Sequence, residues 1–164
     1  MATLTKLESK LAEVLGLAMA AQDAVREVRG MLGPEHEALA KKLAHARDEA
    51  RETQVRCTDL ASGFVGKKTA ILAQAREVKQ EAAEMRDAYL GDETDPLDGF
   101  EFLTMAEAGE VGHWSIVAKL NERAENADLR KLTDWALPIQ QRHFQEVLDG
   151  SLKLAATEDP DEEA

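Results

Sequence analysis

The sequence is poor in the residues that build several common kinds of site. Its 164 residues include a single cysteine, Cys57, which excludes an intrachain disulfide and a cysteine-rich zinc site. Aromatic residues make up only 4%, and the alternation of apolar and polar residues that is typical of strands does not occur. There is no glycine-rich phosphate loop, and no serine or cysteine has an evident partner histidine. These absences argue against a β protein, a nucleotide-binding loop and a hydrolase triad.

Positive charge and long apolar runs are also scarce. The formal net charge is -12, and an acidic surface repels nucleic-acid phosphates and anionic membranes. No apolar run reaches the roughly 20 residues that span a bilayer, and the first ten residues lack the apolar core of a signal peptide. We therefore expect a cytoplasmic protein with no nucleic-acid or membrane partner. The sequence identifies no protein partner and selects no oligomeric state, so a homo-oligomer stays open.

Helix-forming residues dominate the composition, which is 44% hydrophobic and 32% charged. The chain is long enough to bury a hydrophobic core. Apolar residues recur in steps of three and four almost throughout, which predicts helices packed as antiparallel neighbours in an all-α bundle. The predicted helices cover about 4–32, 34–64, 67–90, 97–124 and 126–154. The bundle domain is then 1–156, and the acidic tail 157–164 is predicted to be disordered.

Two of the predicted apolar faces contain polar residues. Steps of three and four from Leu103 bring Glu110 and His113 onto the inner face of the fourth long segment, one turn apart. In the last helix, His143 occupies an apolar position, and Gln140 lies one turn before it. Burying such groups without partners costs several kcal/mol, so the pattern indicates a polar cluster in the core.

Other residues adjoin this cluster in the predicted register. Glu49 on the second helix and Gln22 on the first border the apolar faces of their helices, whereas Glu107 is placed off the face of its own. Gly109 and Gly112 flank Glu110 inside a predicted helix. Each glycine destabilises a helix interior by roughly 1 kcal/mol relative to alanine. We expect these two glycines to allow close approach of another helix or a local bulge.

A carboxylate and two imidazoles that meet in a core suit a divalent transition metal. The candidate ligands are Glu110, His113, His143, Glu49, Gln140 and Gln22. Two other interpretations remain open. The acid and the imidazoles could form a hydrogen-bonded network that fixes helix register without a metal. Alternatively, the predicted helix register is wrong, and these side chains lie at a solvated rim of the bundle.

The sequence resembles the ferritin-like superfamily, in particular its small bacterial stress-associated members. The similar stretches are residues 45–52, 105–120 and 138–144, and the layout matches over about 4–154. This resemblance implies an antiparallel four-helix bundle with an additional shorter crossover helix. It also implies oxidative-stress or metal handling with iron or manganese, zinc being a further option, and, if the protein is an enzyme, metal-dependent oxidation or peroxide handling.

The ligand pattern of that superfamily is a carboxylate on the first and third bundle helices and Glu-x-x-His on the second and fourth. The matching positions here are Gln22, Glu49 with Glu52, Glu110 with His113, and Gln140 with His143. Glutamine is neutral and cannot bridge two cations as a carboxylate does, so the resemblance implies a mononuclear or degenerate site. The alternative function is a non-enzymatic stress-related scaffold or partner-binding bundle whose buried Glu/His network is structural.

Overall fold

A computed structural model describes residues 1–92 and 95–163. Within these ranges the chain forms five α helices and no strand, which confirms the predicted all-α class. The helices are α1 Lys6–Gly30, α2 Glu37–Ala61, α3 Lys68–Leu90, α4 Pro96–Ala124 and α5 Ala127–Ala155, with a 3-10 turn at Pro34–His36. Residues 93 and 94 of the loop predicted at 91–96, and residue 164 of the predicted tail, lie outside the described residues.

Polar side chains define where three helices begin. The Thr5 hydroxyl accepts from the Glu8 backbone N–H, and the Thr5 N–H donates to the Glu8 carboxylate at 2.7 Å. Asp95 and Asn126 cap the first turns of α4 and α5 in a related way, and Pro96 follows Asp95 at the first helical position. These caps satisfy backbone donors that have no partner within a helix.

Helix α3 runs parallel to α1 along its length. The Gln74 amide donates to the Ser9 hydroxyl at 2.7 Å near the start of both helices, and Arg86 pairs with Glu27 at 3.0 Å near their ends. Gly16 lets the two helices touch, since a Cβ there would lie 2.5 Å from the carbonyl oxygen of Ala75. The chain therefore returns along α1 before α4 begins.

The other pairs of packed helices run antiparallel. The contacts that fix these directions are Glu13–His113 and Val28–Gly99 between α1 and α4, Thr104–Ser151 and Glu107–Gln140 between α4 and α5, and Glu49–His143 and Arg56–Trp135 between α2 and α5. Helices α2 and α4 consequently run in the same direction, opposite to α1, α3 and α5.

Two apolar clusters make up the core. One includes Leu11, Cys57, Ile71, Trp114 and Leu132, and the other includes Val28, Leu43, Leu90, Phe100 and Val147. Glu49 on α2, Glu107 and Glu110 on α4, and Gln140 and His143 on α5 fall between the residues of these two clusters. The polar groups therefore form a layer within the bundle. Cys57 is fully buried on the predicted face of α2.

Two further predictions concern membrane crossing and the acidic tail. Among the described residues, no helix has the length and apolar content needed to cross a membrane. Residues 156–163 follow α5 and are exposed, and their predicted disorder stays a prediction.

Candidate functional site

The buried face of α4 is rotated from the predicted one. Its inward residues are Leu103, Glu107, Glu110, Trp114 and Val117. The prediction that placed Glu107 off this face is wrong, because only 2% of Glu107 is exposed. Trp114 determines the rotation, since burying its large indole removes far more apolar surface from water than burying the imidazole of the preceding residue would.

His113 does not join the polar layer, contrary to the prediction. Its side chain is 38% exposed, and its Nδ1 lies 3.1 Å from Glu13 Oε2 on α1. The close approach of another helix of the same chain, one of the two roles expected for the neighbouring glycines, is also not found. Gly109 and Gly112 are exposed, and a Cβ at either position would meet no atom within 4 Å. They allow no close approach of another helix.

Five polar side chains from three helices form the layer: Glu49 from α2, Glu107 and Glu110 from α4, and Gln140 and His143 from α5. We call this set the core polar layer. Gln140 donates its amide N–H to the Glu107 carboxyl. The imidazole of His143 lies between two acids, with Nε2 3.2 Å from Glu49 Oε1 and Nδ1 3.9 Å from Glu107 Oε2. Sequence reasoning placed all of these inward or adjacent except Glu107.

Glu49 is the ionised member of the layer. Burial raises its pKa, but hydrogen bonds from Arg142 at 2.5 Å and from His143 outweigh burial and hold the pKa below its ordinary value. His45 also lies 3.1 Å from Glu49. Arg142 was not predicted to contribute, and its position beside His143 gives no sequence signal of this ion pair.

The protonation of His143 follows from its surroundings. Burial lowers its pKa, although the nearby Glu49 opposes this change, so the ring is neutral at pH 7. An ionised carboxylate can only accept a hydrogen bond, and the nitrogen near Glu49 is Nε2. The proton therefore resides on Nε2, and the lone pair of Nδ1 is directed toward Glu107.

The two acids on α4 lie one turn apart, and no cationic side chain among the described residues pairs with them. Burial raises the pKa of Glu107 to about 8, although its hydrogen bond from Gln140 opposes this shift. Burial and the neighbouring charge of Glu107 together raise the pKa of Glu110 well above its ordinary value. Glu110 is 6% exposed, and its carboxyl has no hydrogen-bond partner among the described residues. Both acids thus favour their protonated forms unless a cation approaches.

Gln22 lies apart from the core polar layer. Its amide donates to Gln54 Oε1 at 2.6 Å and to the carbonyl oxygen of Ala18 at 3.1 Å. The prediction of Gln22 as a neighbour of the cluster is therefore not matched by a contact in the structure.

The layer offers oxygen and nitrogen donors, but its side chains are not gathered around one point. Within residues 1–92 and 95–163, no three histidine, cysteine, aspartate or glutamate groups are placed to hold one metal ion. Glu107 Oε2 on α4 and His143 Nδ1 on α5 lie 3.9 Å apart. Since metal–ligand bonds to such atoms are about 2.0–2.2 Å, a single ion could contact both. Rotation of the Glu110 carboxyl would be needed to add a third ligand.

No protein-family model matches the chain, and no curated protein matches it.

Proposed function

We propose that this protein is a ferritin-like bundle that binds one divalent transition metal at the core polar layer. The helix directions support the ferritin-like part of the proposal. Helices α2 and α4 run in the same direction, and α3 carries the chain back along α1 between them. Two antiparallel helix pairs joined by a crossover have this arrangement.

The observation that carries the metal proposal is the orientation of His143. Histidines that bind metals almost always donate their other ring N–H to a carboxylate or carbonyl. Here Nε2–H faces the ionised Glu49, and the lone pair of Nδ1 faces Glu107. Glu49 would then orient the histidine and would not itself bind the metal, which differs from the role that the sequence suggested.

The proposed ligands are His143 Nδ1, the carboxylates of Glu107 and Glu110, and the side-chain oxygen of Gln140. Two carboxylates beside one nitrogen suit iron, manganese or zinc. A divalent cation would also replace the protons that Glu107 and Glu110 hold in the buried layer, so binding would release protons. We propose a role in metal or oxidative-stress handling on this basis.

Metal content tests the proposal directly. The full chain is purified under reducing conditions without chelator, and bound iron, manganese and zinc are measured per chain before and after reconstitution. We expect about one equivalent, together with a melting temperature that rises with metal. At a metal concentration one hundred times the dissociation constant, linkage predicts stabilisation of about 2.7 kcal/mol. Less than roughly a tenth of an equivalent after reconstitution would overturn the proposal.

A set of histidine variants locates the site. We expect His143→Leu to abolish metal binding, because it removes the only nitrogen ligand proposed for the layer. His113→Leu and His36→Leu serve as matched controls, since both rings are partly exposed and pair with acids outside the core polar layer. Equal loss of metal in the control variants would indicate surface binding and not a core site.

A second candidate function is a scaffold in which the same layer is purely structural. It is favoured by the pairs already formed, in which Arg142 and His143 connect α5 to Glu49 on α2, and Gln140 connects α5 to Glu107 on α4. Such a network can fix the register of three helices. Replacing Glu107, Glu110 and His143 together by leucine would then leave the free energy of unfolding unchanged or raised. In the metal-binding protein the same variant would lose all metal-dependent stabilisation.

A further inference from the structure

Helix α4 has a solvent-facing surface opposite its buried one, and we call it the outer face of α4. Its residues follow one another in steps of three and four, so they share one side of the helix. All of them are exposed except the first, which is half-buried. They are Asp98, Glu101, Met105, Ala108, Gly112, Ile116, Lys119 and Arg123.

Charge is divided between the two ends of the outer face. The acids Asp98 and Glu101 lie near the start of α4, and the bases Lys119 and Arg123 lie near its end. Two acids and two bases give the face no formal net charge, in a chain of net charge -12. Among the described residues, the only ion pair of these four groups joins Lys119 to Glu122 at 2.7 Å on the same helix. Such an exposed pair contributes little to stability.

This charge pattern is complementary to itself when two copies of α4 lie antiparallel. A two-fold axis near residues 109–112 brings Glu101 opposite Lys119 of the second copy. The same axis brings Asp98 opposite Arg123 of the second copy. Because of the symmetry, each of these pairs occurs twice. Parallel packing would instead place each charge opposite its own counterpart, which is repulsive.

The middle of the outer face is uncharged and also matches itself. Met105 and Ile116 are 49% and 45% exposed, and the antiparallel register places one against the other. Between them lie Ala108 and Gly112, whose small size permits close approach of a second helix. The apolar contacts thus lie at the centre of the paired helices, and the ion pairs lie at both ends.

We propose that the outer face of α4 binds the same face of a second copy of this chain, antiparallel and about a two-fold axis. One pair of helices buries less than the roughly 1,600 Å² of a standard interface, so the dimer is weak. We expect a dissociation constant on the order of 10–100 μM. At physiological ionic strength the remaining acids of the two copies are screened beyond about 8 Å, whereas the ion pairs are in contact.

Sedimentation equilibrium of the full chain tests for this dimer at pH 7 and physiological ionic strength, from roughly 5 μM to roughly 1 mM protein. We expect a reversible monomer–dimer equilibrium that chelator does not affect, since the outer face lies apart from the core polar layer. A chain that stays monomeric over this range would overturn the proposal. Loss of the dimer would leave the metal proposal unaffected, because metal content is measured per chain.

Charge reversal tests the register. Glu101→Lys and Lys119→Glu should each weaken the dimer about tenfold, because each turns two attractive pairs into repulsive ones. The two changes shift the net charge in opposite directions, so weakening by both is not explained by general repulsion. The double variant re-forms the pairs with inverted charges, and we expect its dissociation constant to return to within about threefold of that of the wild type. Failure of this rescue would exclude the antiparallel register.

Matched substitutions of exposed aliphatic residues test the apolar centre. Ile116→Glu should weaken the dimer at least tenfold, because the new carboxylate is placed in the apolar contact. Val55→Glu adds the same charge at an exposed position on α2, and it should change the dissociation constant less than twofold. Equal effects of the two substitutions would place the contact elsewhere and overturn the proposal.

Discussion

Burial acts on Cys57 and Glu49 with different results. Cys57 has no charged partner in the part of the chain that the structure describes, and burial raises the pKa of its thiol to about 12. Burial also disfavours the charged form of Glu49, but Arg142 and His143 donate hydrogen bonds that keep it ionised. A single residue in this core is therefore charged only where neighbouring donors replace the water that it has lost.

The reactivity of the Cys57 thiol tests whether this residue is buried. Thiolates and not thiols react with disulfide reagents, and a fully buried thiol is also inaccessible. We expect the folded protein at pH 8 to react with an aromatic disulfide reagent at least on the order of 100-fold more slowly than the protein in denaturant. Rapid stoichiometric release of the chromophore from the folded chain would contradict the burial of Cys57.

Helix α4 contains glycines that have opposite structural roles. Gly99 lies against α1, where a Cβ would be 2.8 Å from Met31 Sδ and 2.9 Å from Val28 Cγ1. Gly109 is on the same helix, but a Cβ there would meet no atom within 4 Å. The first glycine permits helix packing, whereas the second only weakens the helix.

Matched alanine substitutions test this difference. Gly109→Ala should raise the free energy of unfolding by about 0.5–1 kcal/mol, because it removes the helix penalty of glycine without a clash. Gly99→Ala should lower it by about 1–3 kcal/mol, because the added methyl group forces α1 and α4 apart. Chemical denaturation of both variants measures the two effects, and changes of the same sign would contradict the described packing.

The same helix illustrates how far the sequence could predict the site. Periodicity located the five helices within a few residues, and it brought Glu110, Gln140 and His143 inward correctly. Steps of three and four from Leu103 fit two rotations of α4, however, and polarity at Glu107 favoured the wrong one. Trp114 was the available signal, because its burial requires the rotation that also buries Glu107 and exposes His113. The Glu49–Arg142 pair could not be predicted, since it depends on how α2 and α5 meet.

The acidity of the core affects the stability of the whole molecule. The pKa of Glu107 is raised from 4.5 to about 8, so the folded protein holds this proton more tightly than the unfolded chain does. Its contribution to stability is complete below pH 4.5 and is lost as pH rises toward 8. The lowered pKa of His143 acts in the opposite direction, but only below the ordinary histidine value of 6.5.

For the metal-free protein we therefore expect the free energy of unfolding to fall between pH 6.5 and 8. Glu107 alone gives a slope of about 1 kcal/mol per pH unit, since one unit of pKa shift corresponds to roughly 1.4 kcal/mol, and the raised pKa of Glu110 adds to the slope in the same direction. Glu107→Gln should reduce this dependence without abolishing it, because glutamine does not titrate but Glu110 remains, while Glu101→Gln at the surface should leave the dependence unchanged. Denaturant titrations at four pH values provide the measurement, and a rising or flat wild-type curve would contradict it.

Helix α4 also carries two buried acids one turn apart, and Gln140 on α5 donates a hydrogen bond to Glu107. The negative charge of Glu107 opposes ionisation of Glu110. Because ionisation of either acid opposes ionisation of the other, the two carboxyls lose their protons as a coupled pair. A cation bound by one of them would make the other easier to ionise, so the pair would exchange its protons for a metal together, across a single helical turn.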